Sequence, residues 1–159
     1  MTDVDGVAVA TEGHDAAISA VYDPVAEPTT FFTTAARALI EGLPKAGMGR
    51  LLVVGLASVL TTPSGVLLMD TPGYPQEYRS FYLAHAAGVA ALRAGGAALD
   101  WLVVSPAGDF DHDGVRTGRY RTAEADAASR ISYADFAVAL LDEIDTPKHH
   151  RTHLGVEAV

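Results

Sequence analysis

No cysteine occurs in the 159 residues, which excludes disulfides, thiolate catalysis and cysteine-ligated metals and fits a cytoplasmic location. Basic residues are also scarce: 11 Lys and Arg face 20 Asp and Glu, for a formal net charge of −9. Binding to nucleic acid is not expected, because phosphate neutralisation needs clustered cations. A small anionic cofactor stays open, since backbone N–H groups and helix N-termini hold a phosphate ester even on an acidic protein. No apolar run is long enough for a membrane span. The longest uncharged stretch, Leu51–Met69, is broken by Gly, Ser, Thr and Pro. Met1–Gly6 has acids but neither the basic nor the apolar part of a secretion signal. The length predicts one domain with a buried core.

Several chemical signatures are missing too. A glycine-rich phosphate turn should stand between a strand and a helix. Here Gly47-x-Gly49 precedes a strand and Gly95-Gly96 closes a helix, so both read as caps. The reductase pairing of a tyrosine acid with a lysine four residues on fails at Tyr74, Tyr78 and Tyr82, which are followed by Tyr78, Tyr82 and Ala86. Tyr78, Tyr82 and His85 read as a half-buried aromatic helix face, with an unusual acid as the alternative. No Gly-x-Ser-x-Gly elbow supports acyl-hydrolase chemistry. Asp109-Phe-Asp111-His-Asp113-Gly114 resembles the first half of a calcium loop, but Tyr120 stands where the bidentate glutamate belongs, and a plain acidic loop is expected. His149, His150 and His153 have metal-like spacing without a completing carboxylate, and a solvated tail is expected.

What is present is an alternation of strands and helices. Residues 1–13 read as a short helix or loose leader, Ala16–Val21 as a strand, and Phe32, Ala35, Ala36, Leu39, Ile40 and Leu43 recur at helical spacing. Arg50–Gly55 is an unbroken apolar run after its first residue, predicting a central strand buried on both faces. A long loop over 56–75 precedes a helix over Gln76–Arg93, and Asp100–Ser105 repeats the buried-strand pattern. Pro106–Ser129 reads as a second long loop with an extended piece at Gly118–Thr122, Ser132 as the N-cap of a last helix, and His153–Val156 as a closing strand. This order predicts an α/β protein with a three-layer parallel sheet and helices on both faces.

Open parallel sheets bind ligands beyond the carboxyl ends of their strands. Three such ends are small or polar: Ser19-Ala20, Gly55-Leu56-Ala57-Ser58 and Ser105-Pro106-Ala107. Small residues there let a flat ring or a ribose approach the backbone. The two long loops are expected to line a substrate pocket, with Tyr74, Asp109 and Phe110 as candidates.

Gly13–Ala20, Arg50–Gly55, Asp100–Ala107, Arg116–Arg121 and Ser129–Ala137, in that order and spacing, resemble the NmrA-like, NADH-flavin-reductase-like branch of the atypical short-chain dehydrogenases/reductases. The resemblance covers about residues 3–157 and implies a Rossmann-like fold with NADP or NAD as cofactor. It places Ser19, Ala20 and Val21 beside the nucleotide, and Gly55, Ala57, Ser58, Ser105, Pro106 and Ala107 near the nicotinamide. Branch members often lack the Tyr/Lys dyad, as here. They also carry a glycine-rich strand-turn-helix before the segment that opens this chain, so the resemblance implies a partial, N-terminally incomplete Rossmann-like domain. The expected activity is direct hydride transfer to a flavin or quinone, with flavin as a substrate. The alternative is a non-catalytic nucleotide-sensing or dimerisation domain. An uncovered sheet edge would favour homodimers or poor solubility.

Overall fold

The computed structural model describes residues 2–159, so Met1, part of the leader reading, lies outside the described residues. In chain order the elements are α1 (Val4–Thr11), β1 (Ala16–Ser19), α2 (Pro28–Lys45), β2 (Arg50–Val54), α3 (Arg79–Gly95), β3 (Asp100–Pro106), β4 (Asp109–Asp111), β5 (Tyr120–Ala123), β6 (Arg130–Ser132), α4 (Tyr133–Asp145) and β7 (Thr152–Ala158). The main sheet has the order β1-β2-β3-β7-β5. Its first four strands are parallel, with Ile18, Leu52 and Leu102 in register.

Alternation along each strand divides two cores. Leu51 and Val103 face Leu39 and Leu43 of α2 and Val89 and Leu92 of α3, with Val7 of α1 packed alongside. Leu52, Leu102 and Val104 face the other way, against Phe136, Ala139 and Leu140 of α4. Leu51, Leu52, Leu102 and Val103 have no exposed surface, as their unbroken apolar runs predict. Helices therefore cover both faces of a mostly parallel sheet. Among the described residues, no helix is long and apolar enough to cross a membrane.

Local chemistry sets the helix starts. Asp3 accepts the Gly6 N–H, Glu27 accepts from Thr29 and Thr30 with Pro28 at the first helical position, and Ser132 accepts the Asp135 N–H at 3.0 Å. After α2, Gly47 turns with φ of 75°, where only glycine is relaxed.

Four expectations need correction. β3, not β2, holds the centre of the sheet, although β2 is interior and buried. The sheet is not wholly parallel, because β5 runs antiparallel to β7. The supposed loop after Pro106 contains β4, which pairs with β6 in a two-stranded parallel sheet. Three-residue strands carry too little alternation to read. Finally, the histidine tail is no solvated tail: β7 lies between β3 and β5, and His153 pairs with Val103.

At the amino ends of the strands sits a charged network. Arg50, 8% exposed, donates to Asp100 at 3.0 Å, to the Glu143 carboxylate at 3.1 Å and to the carbonyls of Glu143 and His149. Glu143 also accepts from the His149 ring at 2.7 Å and from the N–H groups of Lys148 and His149. Burial pushes the Glu143 carboxyl up, but these hydrogen bonds outweigh it and hold the group below its ordinary range. His150 pairs with Asp100 at 2.9 Å. The network clamps the α4–β7 connection under the sheet.

At the other margin, β1 is an edge strand. Ile18 is 43% exposed although its neighbour Leu52 is fully buried, because α4 does not extend across β1.

Candidate functional site

Beyond the carboxyl end of β2 the chain turns sharply at Ala57–Val59 and doubles back through an isolated bridge between Thr61 and Leu67. The long loop is thus a packed unit. Ala57, Leu60, Leu68 and Ala125 form its own small core, and Tyr74 rests against it. Arg79 braces the far end through Asp70 at 2.7 Å and the Met69 carbonyl, and Gln76 donates to the Met69 and Tyr74 carbonyls. These bonds fix where Tyr74 points.

Between this loop and the segment after β3 lies a cleft of about 520 Å³, within the usual size of small-molecule sites. Tyr74, Tyr78 and Tyr82 line one part, Pro106, Asp109 and Phe110 another, and Ala57 and Ser58 a third. Tyr74 and Tyr82 meet edge to face at 5.5 Å. Phe110 is held by stacking on Tyr133 at 4.4 Å and an edge contact with Phe136 at 5.1 Å. Burial, then the neighbouring Tyr82 and Asp109, push the Tyr74 phenol up to about 12, so it stays protonated and able to donate. The Ser58 hydroxyl, in a residue only 1% exposed, has no hydrogen-bond partner among protein atoms. A buried orphan hydroxyl on a cleft wall is a place for a ligand atom.

Seven of the nine expected site residues divide among three spaces, and two line none of them. Ala57, Ser58 and Pro106 line the aromatic cleft, as do the loop candidates Tyr74, Asp109 and Phe110. Ser19, Val21 and Gly55 border a narrow apolar cavity between the sheet, α2 and α3, whose internal volume of about 40 Å³ suits water rather than a ring. Ala20 and Val21 line an open groove of about 710 Å³ beyond β1, with Asp23 and Glu27. Ser105 and Ala107 are fully buried and line none of these spaces. Ser105 bonds to His153, while the Ala107 N–H donates to the Val156 carbonyl at 2.8 Å.

Sequence reasoning missed this Ser105–His153 pair. Its oxygen-to-Nε2 distance is 2.8 Å, and it exists because Gly55 leaves room: a Cβ there would lie 2.6 Å from Ser105 Oγ and 2.7 Å from Val103 Cγ1. His85, read from the sequence as part of an aromatic helix face with Tyr78 and Tyr82, lies tilted against Phe32 at 3.9 Å and faces the narrow cavity. Desolvation holds both imidazoles down at about 4, assisted at His153 by Arg93 and His85, so both are neutral at pH 7. The only signal available was the strand alternation that puts His153 on the same face as Val103.

A nicotinamide cofactor can be tested against these surfaces. Its flat, ring-bearing end fits the small residues Ala57 and Pro106 and the unpartnered Ser58 hydroxyl. Its pyrophosphate finds no such match. Neither the cleft nor the open groove is lined by Lys or Arg, and the first N–H groups of α2 are taken by Glu27, whose carboxyl they hold down at about 2. Asp109, Asp111 and Asp113 do not gather round a point, since Asp109 and Asp111 each accept a nearby backbone N–H. No group of three or more metal-ligating side chains occurs among the described residues.

Residues 1–147 match the NAD(P)H-binding family. The protein YwnB of Bacillus subtilis (strain 168) is 40% identical over 130 residues, and the match spans 77% of this chain but only 61% of that protein. Among solved structures, a candidate exported protein from Burkholderia pseudomallei is 34% identical with a TM-score of 0.84, over 98% of this chain and 77% of that one. A candidate NADH-flavin reductase from Streptococcus pneumoniae TIGR4 is 32% identical with a TM-score of 0.79, over 92% of this chain and 73% of that one. A candidate epimerase from Bacteroides thetaiotaomicron is 31% identical with a TM-score of 0.81, over 99% and 74%. The chain belongs to the NAD(P)H-binding family.

Proposed function

We propose that this chain forms the ring-binding part of an NAD(P)H-dependent reductase of flavins or quinones. The observation that carries the reading is the aromatic cleft at the ends of β2 and β3, with its orphaned, buried Ser58 hydroxyl. Similarity to the pneumococcal protein named for NADH-flavin reduction supports the acceptor class. A reduced nicotinamide, when bound, supplies a hydride. The chain's own residues then have positioning work. Tyr74, Tyr82 and Phe110 hold planar rings at fixed angles, Ser58 offers a hydrogen bond to a ring heteroatom, and the apolar wall of Ala57 and Pro106 displaces water. No Tyr/Lys dyad is needed, because a reduced flavin or quinone takes its proton from solvent at the mouth of the cleft.

The finer placement in the NmrA-like branch of atypical short-chain dehydrogenases/reductases rests on the missing dyad and on topology. α1 packs on the same face as α2, and α2 carries the chain from β1 towards β2. Right-handed crossovers then put the strand that would feed α1 beyond the free edge of β1. A strand-turn-helix in that position, in a longer form of the protein, would cover Ile18 and supply the phosphate-binding backbone that the described residues lack. The second reading is a non-catalytic nucleotide-sensing or dimerisation domain, which the missing Tyr/Lys dyad suits equally well. The same free edge supports self-association, and the cysteine-free composition supports a cytoplasmic location.

Calorimetric titration with NADPH and NADH, followed by NAD(P)H oxidation assays with riboflavin, tests the proposal. Micromolar binding with flavin-dependent oxidation is expected of the reductase. Binding without oxidation would establish the sensor, and no binding of cofactor or riboflavin would overturn the site.

A further inference from the structure

Resting on the acceptor-site reading above, we infer that the aromatic cleft selects uncharged planar acceptors and discriminates against rings that carry a sulfonate, carboxylate or phosphate. The residues lining it include no Lys, Arg or His. Its single formal charge at neutral pH is the Asp109 carboxylate, because the tyrosines are protonated; Tyr74 and Tyr82 are both raised, first by burial. The cations that adjoin the lining residues in sequence are directed elsewhere. Arg79, just beyond Tyr78, is paired with Asp70, and Arg130 donates to the Ala127 and Ser129 carbonyls at 2.8 Å.

Asp109 is held in place. Its Oδ1 accepts the Phe110 N–H at 2.8 Å and its own N–H donates to the Ser129 carbonyl at 3.0 Å, at the start of β4. The adjoining residue, Gly108, has no room for a side chain, since a Cβ would run into the Asp126 and Ser129 carbonyls. These contacts fix the backbone of the exposed Asp109 at the rim of the cleft, and its bond to the Phe110 N–H keeps the carboxylate on the side of the ring space near Tyr74 and Phe110. The net charge of −9 adds a long-range bias of the same sign. Ser58 gives such a ring a polar anchor without requiring that it be ionised.

The test compares three ligands on the intact chain by equilibrium dialysis: riboflavin, 2-(hydroxymethyl)anthraquinone and anthraquinone-2-sulfonate. The two quinones share a ring and differ by one negative charge. With no cysteine present, thiol addition does not interfere. At low ionic strength the neutral quinone should bind about fivefold or more tightly than the sulfonate, the size expected for one like charge a few ångströms away at a protein surface. The gap should shrink in 1 M salt, where the Debye length is about 3 Å. It should also shrink in Asp109→Asn, whose amide oxygen still accepts the Phe110 N–H.

Equal or tighter binding of the sulfonate would overturn the charge selection while leaving the flat-ring site standing. A gap that survives both salt and Asp109→Asn would be steric and would overturn it as well. Failure of all three ligands to bind would remove the acceptor site itself, and with it the reading on which the inference depends.

Discussion

The two ends of the sheet are built from opposite chemistry. At the amino ends, Arg50, Asp100, Glu143, His149 and His150 form a charged network in which both terminal guanidinium nitrogens of Arg50 are paired and its buried Nε is left without a partner. At the carboxyl ends, the buried groups near the ligand spaces are neutral, Ser105 with His153, His85, Tyr74 and an unpartnered Ser58, and the charges that line those spaces are carboxylates alone, Asp109, Asp23 and Glu27. A satisfied network resists opening, and a surface with an open valence accepts something from outside. The comparison separates the end that holds the fold from the end that binds.

The largest effect should come from the charged end. Glu143→Ala removes one carboxylate from Arg50, whose side chain is 10% exposed, and leaves the Lys148 and His149 N–H groups without their acceptor. Losing one partner of a buried ion pair costs about 3–5 kcal/mol. For a chain of this length that is a fall in Tm of roughly 10 °C or more. Thermal unfolding by circular dichroism checks it, and a fall of under about 2 °C would show that the network is not what holds this end.

Gly55→Ala comes next and carries the comparison to the other end. Its Cβ would overlap Ser105 Oγ and Val103 Cγ1, and His153 Nε2 would be 3.2 Å away. Overpacking of this kind costs about 1–3 kcal/mol. The overlap should push Ser105 and His153 apart and relieve the burial that holds the His153 imidazole down, visible as an upward move of its titration in an NMR pH series. Unchanged stability and an unchanged His153 would mean that the carboxyl end is looser than its packing shows.

Much of this division could be read before any coordinates. The unbroken apolar runs at Leu51–Val54 and Leu102–Val104 located two of the three interior strands and both cores, because burial on two faces leaves no polar alternation. Ser132 announced α4 by its cap. Tyr74, Asp109 and Phe110 came together as cleft residues because long loops after interior strands converge over the same sheet end. The charged network was illegible: Arg50, Asp100 and Glu143 are far apart in sequence, and each alone looks like a surface charge at an element boundary. β4 and β6 were too short to show a period, and although His153–Val156 read as a closing strand, the basic residues around it hid that the strand lies inside the sheet. Ser105 and Ala107, small residues at a strand end, gave no sign of whether they faced the cleft or the interior.

A smaller effect follows from acid. His85 and His153 titrate near 4 in the folded protein and near 6.5 when unfolded. Below 6.5 the unfolded chain binds protons that the folded chain refuses, so stability declines as pH falls from about 6.5 towards 4. The depressed carboxyl of Glu143 adds its loss only at lower pH, as the unfolded acid begins to protonate. The two ends should therefore fail in sequence, the neutral end first. In urea titrations across pH 7 to 4, His85→Leu should flatten the early decline. An identical decline in that variant would remove His85 from the account.

The smallest change to stability, and the sharpest division between holding and binding, belongs to Ser58→Ala. Removing a partner from a satisfied network is destabilising, but the Ser58 hydroxyl has no partner to lose. Its deletion relieves a desolvated group and should leave Tm unchanged or raise it by up to about 1 kcal/mol of stability. If the hydroxyl meets a ring heteroatom in the complex, the same deletion should weaken riboflavin binding by about fivefold, the value of one neutral hydrogen bond. Equal or greater stability together with weaker binding is a combination that a structural serine cannot produce. A loss of stability without a change in binding would assign Ser58 to the fold, and the contrast between the two ends would then rest on Tyr74 and Phe110 alone.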